Sequence, residues 1–490
     1  MPLLTNKCIR QDIIYLKNEQ PSEFGRYIMA LKNLEDSDDW SRICGIHGNI
    51  FNPNDSHVLC PTDPKIVRTI GNTPDEDFYC AHGVSKFISW HLPYVLQYEL
   101  LLNKYNTSKN KDYLCLPYLD LGNFDNDYTF INEPLITILF DDEYITINNP
   151  LATASYYDAE GIKKPIKRNG FLTPTNDEER LQLNTVNKQL HNTLYALKYE
   201  TFSSNVVSPD KLNKVYDYVP LETPHNQIHN IIGGKGGNMG DVTIAAYDPL
   251  FWMHHCNMDR FFYNWLYNNT DEFDNKLNNK QILPETLDDT LSPFFDSEIF
   301  KEDFINSNSN SESNYGWKNN TFKFLVLKNI LNVKKYPYTY NKIYKKISII
   351  NNKILNTPFE NNKFVELVDI PIPMETVDIY FYLFPKNVTI NDDNKKKYIA
   401  GIGNWFGINR HLKHCIRCER SRTNIKIDIH DYITNNNITD LNNHSWFIEA
   451  HGKLHNKKDD DDNDDNKNDQ FLKYTHDDIL KDGELKIINL

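Results

Sequence analysis

No uninterrupted apolar stretch in this 490-residue sequence is long enough to span a bilayer, which takes about 20 consecutive apolar residues. Basic residues are in the minority. The 53 Lys and Arg face 67 Asp and Glu, a formal net charge of -14, which argues against nucleic acid or an anionic membrane surface as partner. Met1 to Leu16 carries Lys7, Arg10 and Asp12 and no extended apolar core, so no secretory leader is visible. The eight cysteines are scattered and imply no disulfide framework. Together these absences read as a soluble, cytoplasmic chain in reducing surroundings. Neither an HExxH motif nor a cysteine-based zinc pattern is present, which sets aside the common zinc architectures.

What the chain does have is histidine in two groups of three. The first is His47 in Gly45-Ile46-His47-Gly48, His82 in Cys80-Ala81-His82-Gly83, and His91 in Ser89-Trp90-His91-Leu92-Pro93. The second is His225 and His229 in Pro224-His225-Asn226-Gln227-Ile228-His229, with one member of the pair His254-His255. Six histidines in apolar surroundings cannot all be buried without partners, because unsatisfied polar groups are costly. Imidazole suits copper, zinc, iron and nickel, and three ligands per ion leave positions open for a substrate.

The spacing can be read against helix geometry. His225 and His229, four apart, share one helix face and can bind one ion. His82 and His91, nine apart, would point to opposite sides of a continuous helix, so His82 belongs on a loop before a buried helix running from Val84 to Leu102. Neighbouring helical residues point about 100° apart, so only one of His254 and His255 faces the metal. His255 is favoured, because it shares a one-turn stripe with Phe251, which could wall the site, and Asp259, which could fix an imidazole tautomer.

Tyr247 to Arg260, Tyr-Asp-Pro-Leu-Phe-Trp-Met-His-His-Cys-Asn-Met-Asp-Arg, resembles the fungal tyrosinases of the type-3 copper family, which also holds catechol oxidases and molluscan haemocyanins. The resemblance implies two copper ions, one on His47, His82 and His91 and the other on His225, His229 and His255. It implies a thioether between Cys80 and His82, a water held by Glu222 and Asn226 that removes the phenol proton, and a substrate pocket beside Val242 and Phe251. The implied reaction is O2-dependent hydroxylation of monophenols and oxidation of o-diphenols to o-quinones, with catechol oxidase or o-aminophenol oxidase as the alternative. Leu92 replaces the arginine usual after the third ligand, an outer change that bears on substrate preference more than on copper.

The fold expected is a mainly α catalytic domain over residues 1–350, whose helical bundle holds the dinuclear site, then a linker at 351–362. From 363 to 490 the pattern turns to alternating β-branched and aromatic runs: Lys363 to Ile370, Val377 to Phe384, Asn424 to Ile429, Ser445 to Glu449 and Leu485 to Ile488. These read as a C-terminal β-sandwich, interrupted by a solvated acidic loop at 457–469. Long fungal tyrosinases carry such a domain as a lid. By that likeness Phe406 would fill the substrate position, with Trp405 as the alternative. Cys415 and Cys418, a C-x-x-C pair of soft thiolates, would deliver Cu(I).

Overall fold

The computed structural model describes residues 8–48, 80–82, 85–122, 126–158, 161–194, 196, 199–204, 219–269, 333, 336, 338–342, 363–371, 377–391, 394–405, 422–453, 471–474 and 484–488. The helices that build the site and its surroundings are α1 (Ile13–Glu19), α2 (Pro21–Glu35), α3 (Asp38–Gly48), α4 (Phe87–Lys104), α5 (Asp177–Thr193), α6 (Glu222–Gly233) and α7 (Pro249–Asn269). On α4 every residue from Phe87 to Glu99 is buried, and on α7 every residue from Pro249 to Leu266. Helices buried on all sides lie inside a domain rather than on it. The two lock together where Tyr98 stacks on Trp252 at 4.1 Å with the rings 5° apart. Asp248 starts α7. Its Oδ1 accepts the Leu250 amide at 2.9 Å, and Arg168 grips both its oxygens at 2.6 and 2.7 Å. A charge-assisted fork of this kind fixes the direction in which the helix leaves its cap.

A strand from each end of the helical part closes it. Strand β1 (Cys8–Arg10) pairs in parallel with β2 (Tyr338–Tyr340), Arg10 opposite Tyr340. This seats the fully buried Arg10 among α4, α7 and β2. It donates from Nε to Glu99 Oε2 at 2.8 Å and from Nη1 to Asp259 Oδ2 at 2.8 Å, and its guanidinium lies 3.7 Å from the Tyr338 ring centre. The Tyr338 and Tyr340 hydroxyls each donate to the same Asp259 oxygen at 2.6 Å. Cys8, within β1, forms a disulfide with Cys115, whereas the scattered cysteines of the sequence imply no disulfide framework. The two lie 107 residues apart, a separation that carries no pairing signal in sequence.

The C-terminal part is two antiparallel sheets. One is ordered β6-β3-β9 and the other β8-β7-β4-β5, with β3 Phe364–Pro371, β4 Val377–Pro385, β5 Ile399–Trp405, β6 Arg422–Asp428, β7 His444–Lys453, β8 Phe471–Tyr474 and β9 Glu484–Ile488. Alternate residues face inward: Val365 and Leu367 from β3 and Ile425 and Ile427 from β6 share a core with Ile379, Phe381 and Leu383 from β4. Strand β5 was not anticipated. Its Gly401 and Gly403 break the apolar alternation, yet a Cβ at either would come within 2.6 and 2.8 Å of the Ile427 side chain. The glycines let β5 approach β6 closely. Strand β5 also packs against α6, while Tyr380 donates to Glu178 Oε1 at 3.1 Å and Lys188 pairs with Asp431 at 2.6 Å, so the two parts are in contact. Phe406, Cys415, Cys418, the segment 351–362 and the loop 457–469 lie outside the described residues.

Removing Arg10 leaves Glu99 and Asp259 buried without their counter-charge. Breaking a buried pair of this kind costs about 3–5 kcal/mol, so Arg10→Met should lower stability by that amount in a urea titration. A loss below about 1 kcal/mol would show that the pair merely offsets its own desolvation.

Candidate dinuclear metal centre

Three imidazoles converge on α6 and α7. Nε2 of His225, His229 and His255 stand 3.0, 3.2 and 3.4 Å apart, a triangle suited to three donors on one first-row ion. Both His225 and His229 come from one face of α6, and His255 from α7. His254 belongs to the same group, whose donor atoms all lie within 4.8 Å of one another, but neither of its ring nitrogens makes so close an approach. Its ring stacks on His225 at 5.0 Å.

The second group joins His47 at the end of α3, His82 on the segment before α4, and His91 on the first turns of α4. Cys80 Sγ sits among them, 3.0 Å from His47 Nε2, 3.1 Å from His82 Nδ1 and 3.6 Å from His91 Nε2. The groups abut: His91 and His255 stack at 4.4 Å with 19° between ring planes. Two three-imidazole cups therefore face one another across a single stacked pair.

Each cup needs bare lone pairs, and at His47, His91, His225 and His229 the surroundings supply them by occupying the opposite ring nitrogen. Nδ1 of His47 donates to the Val242 carbonyl at 2.8 Å, that of His91 to the Phe87 carbonyl at 2.7 Å, and that of His229 to the Met239 carbonyl at 2.7 Å. His225 Nδ1 meets Asn226 Oδ1 at 2.8 Å. A carbonyl only accepts, so Nδ1 carries the proton and Nε2 is left to bind metal. Gly48 makes one of these ties feasible, since a Cβ there would lie 1.9 Å from the Thr243 carbonyl oxygen, next to the carbonyl that His47 needs. Burial holds His47 down to about 4 and His229 down to about 3. It also pushes His91, His225 and His255 well below their ordinary range, with neighbouring imidazoles adding to the effect. All five are neutral at pH 7, which is the ligand form.

The other sequence-predicted residues are placed as follows. Phe251 lies 4.8 Å from the His47 ring and 4.1 Å from that of His255, touching both cups. Val242 is buried and serves through its carbonyl. Glu222, at the start of α6, is buried and accepts a hydrogen bond from the Ser204 hydroxyl. Asp259 needs correction: its Oδ2 is taken by Arg10, Tyr338 and Tyr340 rather than by an imidazole. One turn beyond His255 the helix has already brought this carboxylate up against β1 and β2. The carbonyls of Val242, Phe87 and Met239 were missed, because a backbone acceptor leaves no mark on residue identity.

Residues 37–268 match the family model described as the common central domain of tyrosinase. This stretch, just under half of the chain, carries the domain shared by type-3 copper proteins. Its two imidazole cups are thus a dinuclear copper site. In sequence it is similar to a tyrosinase of Neurospora crassa, 26% identical over 317 residues that cover 54% of this chain and 44% of that protein. The chain spans about half the length of the tyrosinases it matches, 44% of one and 58% of another. In fold it is similar to deoxygenated hemocyanin from Rapana thomasiana, with a TM-score of 0.59, 18% identity and coverage of 90% of this chain and 94% of that one. It is also similar to a mutant form of Aspergillus oryzae pro-tyrosinase, with a TM-score of 0.58, 17% identity and coverage of 92% and 95%.

His255→Ala should lose one of two coppers by metal analysis, whereas His254→Ala should keep both; two coppers in the His255 variant would place the ligand at His254 instead. A pH dependence follows as well. The folded chain holds its imidazoles neutral while the unfolded chain protonates them below about 6.5. Stability of the metal-free protein should therefore fall as pH drops from about 6.5 through about 4, the value for His47. A melting temperature that stays flat across this window would contradict the burial of neutral imidazoles.

Proposed function

We propose that the chain is a tyrosinase in activity, converting a monophenol and O2 to an o-quinone and water, and two o-diphenols and O2 to two o-quinones and two waters. What carries the reading is the pair of stacked three-imidazole cups with the Phe251 ring against both. When bound, the copper pair supplies the redox chemistry with O2. The protein positions the substrate: the buried Phe251 ring, packed on His47 and His255, forms the apolar wall of the site. Glu222 and Asn226, four apart at the start of α6, lie on one face where they can hold a water between them. The water takes the phenol proton and passes it to the Glu222 carboxylate, while the tie from His225 Nδ1 keeps Asn226 oriented. Melanin-type pigment is the product class this chemistry serves. A catechol oxidase or o-aminophenol oxidase would use the same cups without the phenol deprotonation.

Two further features belong to the proposal. Cys80 Sγ lies 3.1 Å from His82 Nδ1 and 3.9 Å from Nε2, close enough for a thioether to the ring carbon between them, its S–H and C–H hydrogens removed in a two-electron oxidation by the O2 of the proposed activity, which would lock this imidazole. The C-terminal sandwich is proposed as a lid that keeps the full-length chain latent, with Phe406 in the phenol position and Cys415 and Cys418 delivering copper. The packing of β5, which runs up to Trp405, against α6 supports this.

The deciding experiment is Glu222→Gln in copper-loaded protein freed of the C-terminal part by limited proteolysis after Tyr340. Oxygen uptake with tyrosine should fall about 10²–10⁴-fold and that with catechol much less. Equal slowing of both substrates would assign Glu222 to structure. Intact copper-replete protein already as active as the trimmed form would remove the lid from the proposal.

A further inference from the structure

The helical and C-terminal parts face one another across a cleft of about 400 Å³ that is distinct in its lining from the imidazole cups. Its walls come from both parts: Glu178 and Glu179 from α5, Asn230 from the last turn of α6 and Lys235 just beyond it, and Asp378 and Tyr380 from β4. Three carboxylates and one ammonium share the lining, Glu179 Oε2 also accepting from the Thr175 amide and hydroxyl at 2.5 and 2.9 Å. The resulting negative potential is felt by Tyr380, whose phenol is pushed up by burial and then by the charges of Asp378 and Glu178. The carbonyl end of α6 adds to it, since a helix C-terminus favours cations.

Two observations define what would fit. Among the described residues only the two histidine-containing groups bring donor atoms within 4.8 Å of one another, so the cleft carboxylates do not close around one inorganic ion. They are spaced for a larger organic cation. Asn230 is 9% exposed, and neither its Oδ1 nor its Nδ2 has a hydrogen-bond partner in the protein. Such an amide costs about 1–3 kcal/mol per unmet group, and an occupant that both donates and accepts would relieve it. A hydroxyl does both, whereas a fully protonated polyamine only donates.

We propose that the cleft binds a small hydroxylated organic ammonium of the amino-sugar class, its charge on the carboxylates and a hydroxyl on Asn230. The volume falls within the range typical of small-molecule sites, about 300–1,000 Å³. Because both parts line the cleft, an occupant fastens them together. If only the docked arrangement binds, ligand at 100 times Kd disfavours separation about 100-fold.

The test is calorimetric titration of the full chain with glucosamine, and with glucose as the same scaffold without charge. Glucosamine should bind at one site per chain and glucose at least about tenfold more weakly. Glu178→Gln/Asp378→Asn should reduce glucosamine affinity at least about tenfold, and Asn230→Ala by a similar factor, in variants whose circular dichroism matches the parent. Deleting 457–469, the aspartate-rich run, should leave binding unchanged. Equal affinity for glucose, or binding that survives the cleft variants but vanishes with that run, would overturn the site.

Discussion

Much of the helical part answers to one constraint, that buried imidazoles must stay neutral with a chosen nitrogen bare. An imidazole left to itself in an apolar interior would waste both ring nitrogens. Here carbonyls from outside the cup-bearing face take the proton-bearing nitrogen of His47 and His229, and the Phe87 carbonyl, one turn back on α4, takes that of His91. The loop carrying Met239 and Val242 is thereby drawn between α3 and α6, and the absence of a side chain at Gly48 is what makes room for it. Helix packing, loop path and ligand tautomer are one arrangement seen three ways.

The ion pair beneath the site does a different job. Arg10 reaches α4 at Glu99 and α7 at Asp259, two turns from His91 and one turn from His255. It sets the relative register of the helices whose rings stack across the two cups. Such a network is poor evidence for stability, since its desolvation is expensive, but its geometry admits one arrangement and so specifies it. The copper-facing rings inherit that single register.

How much of this could be read from the residues alone depended on whether the signal lay in residue identity. His225 and His229 announce their shared face through spacing; the rotation between His254 and His255 says only that one of them faces the metal, and the stripe shared with Phe251 favours the second. The strands near Val377 and Ser445 show themselves by alternation. Strand β5 hides behind Gly401 and Gly403, whose purpose is a close approach that exists only between folded sheets. Arg10 reads as one more charge near the N-terminus until β1 is paired with β2. Asp259 sits on the stripe that pointed to an imidazole, but a stripe gives direction and not distance, and a stronger donor stood in the way. The Cys8–Cys115 bond was equally silent, for no spacing rule connects residues so far apart.

The pairing of β1 with β2 also orders events in time. Residues 8–10 find their partners only at 338–340, so this strand waits for one made more than three hundred residues later. Until then Arg10 has no Tyr338 ring beneath it, and Asp259 lacks both phenol donors. Contacts of such sequence separation are the slow ones in folding, because the intervening chain must first lose its freedom. The copper helices can assemble earlier as a loose bundle. Their final register arrives last, with the strand that closes the domain.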